Sequence, residues 1–115
     1  MKRDYLDAVA DILDAIEKAL SFCEGMTFKT FARDEKTVFA VTRAPELIGE
    51  ATKKVPPSVR RKYPDIPWRD ITGMRDKLVH EYFAVDLQTV WTTVREDLPA
   101  LRPLIQRLQE DAEAK

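Results

Sequence analysis

The sequence predicts an all-α protein, an up-and-down bundle of four to five helices, and three observations carry that prediction. Apolar residues recur every three or four positions through long stretches, as in Leu6, Val9, Leu13, Ile16, Leu20 and Cys23, the spacing of a buried helix seam. Only three glycines occur, while 44% of residues are apolar and 34% charged, a balance that favours packed amphipathic helices over sheet. The 115 residues suffice for one core and leave no room for a second, so positions 1–115 read as a single domain.

Taken in order, the first helix is predicted from about Arg3 to Cys23, with Asp7, Asp11, Asp14, Glu17 and Lys18 facing away from the seam and Gly25 as its C-terminal cap. Thr27 to Phe31 reads as one helical turn that tucks Phe28 and Phe31 under the bundle. Asp34 caps a second long helix, whose inward pattern runs Val38, Phe39, Val41 and Thr42 into Leu47, Ile48 and Ala51. Pro45 removes a backbone donor within it, so a kink or break is expected near Thr42. Gly49 marks a close helix crossing, and its neighbour Glu50 is expected as a buried acceptor. Val55 to Pro67 carries prolines 56, 57, 64 and 67 and is the one linker, with room for a short turn over Pro57 to Lys62. A further helix is expected from Trp68 to Phe83. Asp86 then caps a last one through about Asp111, with Leu87, Val90, Trp91, Val94, Leu98, Leu101, Leu104, Ile105 and Leu108 inward. Pro99 and Pro103 should bend that helix, and residues 111–115 read as a frayed, flexible tail.

Charge and cysteine usage narrow the function classes. A net charge of −1 provides no global field to attract nucleic acid, so any such contact is local. From Arg43 to Arg75 eight Lys/Arg stand against four Asp/Glu, whereas Met1 to Glu24 has three against six. Lys53, Lys54, Arg60, Arg61, Lys62 and Arg69 form this basic stretch, which reads either as a solvated loop or as an RNA track. Cys23 is the single cysteine, which excludes an intrachain disulfide and a cysteine zinc site and suits a small core residue. No apolar run approaches the ~18 residues of a membrane span, and the start MKRDYLDAVADILDA is too charged for a signal peptide. A soluble, cytoplasmic protein without a membrane contact is expected.

The stretch GMRDKLVHEY, Gly73 to Tyr82, concentrates the chemistry. It holds the only histidine, His80, close to an arginine, two carboxylates and a tyrosine. On a helix of about 100° per residue, Arg75 and Tyr82 fall within about 20° of each other and extend the apolar stripe of Ile71 and Leu78. An arginine in an apolar seam requires a carboxylate or a phosphate-sized ligand, because an unpartnered guanidinium is costly to bury. His80 lies about 140° round from Arg75, on a side shared with Gly73, Asp76 and Lys77. Gly73 leaves room there for another backbone. Asp76, one turn before His80, is placed to orient the imidazole and to raise its pKa towards neutrality, where a general acid or base works best.

Arg75, four residues, His80, one residue, Tyr82 resembles the R-x4-H-x-Y signature of the HepT-like proteins, a branch of the HEPN superfamily of all-helical ribonucleases. The stretches YLDAVADILDAIEKALSFCEGMTFKTFARDEKTVFAVTRAPELIGEATKKV and PWRDITGMRDKLVHEYFAVD are similar to the pattern of that family too, so the resemblance covers nearly the whole chain. It implies a homodimer that cleaves RNA between two protomers, with His80 as acid/base and Arg75 as phosphate clamp. Asp76 stands where the family often has a polar residue such as asparagine, and reads as orienting His80 or Arg75. The resemblance also implies a partner, a nucleotidyltransferase antitoxin of MNT type, which transfers AMP to the tyrosine matching Tyr82 and so silences the toxin. It places the Gly49–Glu50–Ala51 stretch near the motif, which makes Glu50 the candidate holder of Arg75 when no substrate is bound.

The residues suit such chemistry. Metal-free RNA cleavage needs a base for the ribose 2′-hydroxyl, an acid for the leaving 5′-oxygen and positive charge on the phosphorane-like transition state. One histidine per chain points to a two-fold dimer that supplies two copies of His80 and Arg75. One histidine with scattered carboxylates shows no metal-ligand spacing, and no cofactor is expected. Two other readings compete: a non-catalytic interaction module that binds the nucleotidyltransferase or a nucleotide, and a plain helical dimerisation domain in which Arg75 pairs with Glu50.

Overall fold

In the computed structural model the described residues are 2–74, 76, 79–81 and 84–114, with residues 2–4, 79–81, 84 and 85 described by backbone alone. The chain is an all-α bundle. Its elements are α1 (Lys2–Phe22), α2 (Phe28–Arg33), α3 (Glu35–Thr52), α4 (Pro57–Arg60), α5 (Trp68–Thr72), two short strands β1 (Val79–Glu81) and β2 (Ala84–Val85), α6 (Leu87–Thr92) and α7 (Leu98–Glu113). A π turn over Thr93–Asp97 joins α6 to α7.

The centre of the core is α1, which packs against both α3 and α7. Two neighbours demand a wider apolar face than one seam supplies. Ala8, Val9, Ile12, Ala15, Ile16, Ala19 and Cys23 are all buried, whereas the expected Leu13 and Leu20 are only half-buried. The buried line therefore runs one position off the predicted one and includes Ile12, and its alanines let the neighbouring helices approach closely. Val41 and Ile48 of α3, and Leu98, Leu101, Ile105 and Leu108 of α7, complete the core. Each such aliphatic side chain contributes about 1.5–3 kcal/mol on burial.

Local signals set most boundaries. Gly25 adopts φ 78°, the left-handed conformation of a helix-ending glycine. Thr27 and Thr30 form a reciprocal capping box on α2. The Asp34 carboxylate accepts the Thr37 amide at 3.0 Å, and that bond holds its carboxyl below the ordinary carboxylate value. Asp86 caps α6 in the same way, through the Thr89 amide at 3.1 Å. Pro57 opens the short turn α4 as expected.

Several expectations are corrected. Pro45 does not break α3, which runs unbroken from Glu35 to Thr52; Pro45 is itself buried with Val41, Ala44 and Ile48, and that packing offsets one lost hydrogen bond. Phe39 is not inward but 84% exposed, and Leu47 is 41% exposed: both lie at the surface edge of the α1–α3 contact, where they line a groove with Ala15 and Ala19. Phe31 is buried under the bundle, while Phe28 stays at the edge against Trp91. Pro99 acts through the π turn: it cannot donate to the Arg95 carbonyl, and the Leu98 amide reaches five residues back to Thr93. The tail is helical through Glu113, with Asp111 accepting the Tyr63 hydroxyl at 2.8 Å.

The largest correction falls on the motif. The helix begun at Trp68 ends at Thr72, capped by Gly73; Met74 and Asp76 are helical again, but Val79–Glu81 pairs antiparallel with Ala84–Val85, so the expected helix does not extend through those residues. The sequence VHEYFAV is rich in β-branched and aromatic residues, which suit a pleated ribbon as well as they suit a helix face. Helical periodicity alone does not decide between them.

Candidate functional site

The motif is built between two elements that both pack on α3. On one side α5 lies across Gly49 so closely that a Cβ there would sit 3.4 Å from the Thr72 carbonyl oxygen and 3.6 Å from that of Ile71. This is the close crossing that the glycine predicts. Ile71 and Met74 are buried at the same end of the segment, immediately before Arg75. On the other side the capped start of α6, with Val90 in the core, fixes the chain as it leaves β2.

Between these anchors lies the ribbon. Val79 pairs with Val85 and Glu81 with Ala84, two residues apart on β1 but one apart on β2, so His80 is the extra residue of a bulge. Bulges re-aim a side chain and recur beside active sites. The Asp76 amide donates to the Gly73 carbonyl at 3.1 Å, and the Asp76 side chain is exposed. Arg75 and Tyr82 lie outside the described residues, and His80 is described by its backbone alone.

Glu50 is not the buried acceptor expected of it. Its side chain is 75% exposed and lies 3.5 Å from Lys53 one turn along α3, a surface pair worth little. Gly49 takes the buried position at the crossing and turns Glu50 outward.

The basic stretch divides in two. The Arg60 guanidinium donates to the carbonyls of Thr52 at 2.8 Å and Val55 at 2.9 Å, and stacks over the Trp68 ring at 5.8 Å. It closes the C-terminal end of α3, and Trp68 Nε1 in turn donates to the Arg60 and Tyr63 carbonyls. These bonds, with Arg107 on Asp65 at 3.1 Å, fasten the linker to the bundle. Lys53, Lys54, Arg61, Lys62 and Arg69 are exposed around that corner.

Sequence reasoning missed a cleft of about 350 Å³ between α5 and the π turn. Ile71, Met74, Leu101 and Leu104 form its apolar walls, and Asp65, Asp70 and Asp97 its rim. Its carboxylates disfavour a phosphate, so this side of α5 is unsuited to a nucleic-acid backbone. The acids are scattered across the linker, α5 and the π turn, and no local spacing reveals their convergence. Among the described residues no three His, Cys, Asp or Glu side chains are placed to share a metal ion. Cys23 is buried, and burial raises its thiol pKa, so it is a core residue and no nucleophile. No helix among the described residues is long and apolar enough to cross a membrane.

Comparison with known proteins places this geometry in context. The model of the family described as ribonuclease HepT-like matches residues 12–108. A protein of Thermococcus cleftensis, "Probable ribonuclease HepT", is 46% identical over 110 residues, covering 96% of this chain and 100% of that one. "Putative RNase MJ1216" of Methanocaldococcus jannaschii is 40% identical over 114 residues, 99% of this chain and 94% of that one. "Putative RNase TTE0752" of Caldanaerobacter subterraneus is 37% identical over 106 residues, 92% of each. No solved structure matches the chain significantly.

Proposed function

The chain belongs to the ribonuclease HepT-like family, and from that premise we propose that it is a metal-independent endoribonuclease whose cleft lies between two protomers. The observation that carries the reading is a family match that spans the R-x4-H-x-Y stretch from Arg75 to Tyr82 and nearly all of its scaffold. In this reading His80 moves the protons. A ribose 2′-hydroxyl loses its proton to one imidazole and attacks the adjacent phosphorus, the 5′-oxygen leaves with a proton from the second, and the products are a 2′,3′-cyclic phosphate and a 5′-hydroxyl. Arg75 neutralises charge on the equatorial oxygens as the phosphorane forms. Asp76 orients one of these groups, and Gly73 admits the partner backbone. The exposed cations Lys53, Lys54, Arg61, Lys62 and Arg69 hold flanking phosphates. Arg60, spent on the Thr52 and Val55 carbonyls, drops out of that track.

The activity needs restraint inside a cell, and the reading assigns it to an MNT-type nucleotidyltransferase antitoxin. The Tyr82 phenol oxygen attacks the α-phosphorus of ATP, pyrophosphate leaves, and the attached AMP puts bulk and negative charge beside Arg75. Mass spectrometry of the chain coexpressed with its cognate nucleotidyltransferase tests this step, with AMP on Tyr82 expected and an unmodified but neutralised protein contradicting it. The cleavage itself is tested with antitoxin-free protein and RNA in excess chelator. Cyclic-phosphate ends are expected from the wild type. Intact RNA with a verified unmodified dimer would favour the interaction module instead.

A further inference from the structure

Two buried threonines treat their hydroxyls differently. Thr52 donates to the Ile48 carbonyl at 2.6 Å, the ordinary recourse of a threonine enclosed by a helix. Thr93, only 4% exposed at the start of the π turn, makes no such bond, and its hydroxyl has no hydrogen-bond partner among the described residues. No side-chain oxygen among those residues is both unpartnered and sealed from solvent, so this hydroxyl keeps its access through the cleft that Thr93 lines. A buried polar group left open in this way calls for a partner from outside.

Asp97, four residues on, lines the same cleft and is adjacent to Thr93 on that face. Its side chain does not cap α7, and it meets no cation among the described residues. No lysine or arginine lines the cleft to offset the charge. Arg95 lies over the Trp91 ring at 5.1 Å, and Arg107 is taken up with Asp65 at 3.1 Å. Asp65 and Asp70 are both engaged; they keep the rim negative and leave the direct contact to Asp97. Opposite this polar pair stand the apolar walls of Ile71, Met74 and Leu104.

We propose that this cleft binds a small organic cation, a primary amine carried on an apolar body. The ammonium donates to the Asp97 carboxylate and the Thr93 hydroxyl, and the body fills the apolar walls. A volume of about 350 Å³ suits a small molecule, and apolar walls with a few convergent polar groups are the usual make-up of such a site. Met74 immediately precedes Arg75, so an occupied cleft ties the entry to the motif to the π turn.

The test uses the full chain without RNA, and its failure leaves the nuclease reading untouched. Phenethylamine is titrated by isothermal calorimetry and methyl NMR, beside hydrocinnamate, which carries a carboxylate on the same phenylethyl body. The wild type is expected to bind the amine saturably, at least about 10-fold more tightly than the acid, with shifts at the Ile71, Met74 and Leu101 methyls. Asp97→Asn should erase that preference. Thr93→Val should weaken the amine about 3-fold or more yet melt no lower than wild type, because no internal hydrogen bond is lost. Ala100→Trp, at an exposed position on the rim, should exclude both ligands. The comparison of amine with acid needs no variant, so it decides even where a variant misfolds. No saturable binding of the amine, equal binding of the acid, shifts away from these methyls, or a folded Asp97→Asn protein that keeps the preference overturns the proposal.

Discussion

Between Val9 and Cys23, α1 inserts a row of apolar side chains between α3 and α7; the motif segment that follows is preceded by the buried Ile71 and Met74 and followed by the Asp86 cap and Val90. The first region derives stability from burial along its whole length. In the second the single histidine occupies a bulge. On the proposed reading stability resides in the helices and chemistry in the motif segment, and substitutions in the two regions should separate those properties.

The largest stability loss is expected in the first region. Ile16→Ala, at a fully buried position facing both neighbours, should cost about 2–5 kcal/mol in urea denaturation, with activity per folded molecule unchanged. Gly49→Leu sharpens the contrast at the joint. Its side chain meets the Ile71 and Thr72 carbonyls, so the variant should lose about 1–3 kcal/mol and also shift α5, reducing cleavage beyond what the unfolded fraction explains. Asp86→Ala removes the cap that anchors the far end of the motif, and should lower stability by about 1 kcal/mol on the same measurement.

The smallest effect is expected at the linker. Burial, assisted by the bond to Asp111, raises the Tyr63 phenol above its ordinary pKa, so folding favours the neutral form. That contribution is complete below the unfolded pKa and is lost as pH rises through the folded one. Wild-type thermal stability should therefore fall more steeply above pH ~10 than that of Tyr63→Phe.

How far the sequence speaks also differs between the regions. Caps at Asp34 and Asp86, the ending at Gly25 and the crossing at Gly49 are legible because each is a local device whose physics involves only a few neighbouring residues. The inward face of the last helix was legible as well, since burial there follows the 3.6-residue period. Phe39 was misplaced and Ile12 left out of the predicted seam because their burial depends on how many helices surround their own, which no single periodicity reports. Glu50 was misjudged for a similar reason: the glycine beside it, not the carboxylate, occupies the crossing. In the motif, β-branched and aromatic residues satisfy helix and strand patterns alike, and the ribbon is settled by pairing between Val79–Glu81 and Ala84–Val85.

The division of labour is tested most directly by melting and cleavage measured on one preparation of His80→Ala. The account predicts a midpoint within a few degrees of wild type and RNA cleavage reduced about 10²–10⁴-fold, the usual loss on removing a positioned acid or base. A folded, stable His80→Ala protein that cleaves at the wild-type rate would contradict it.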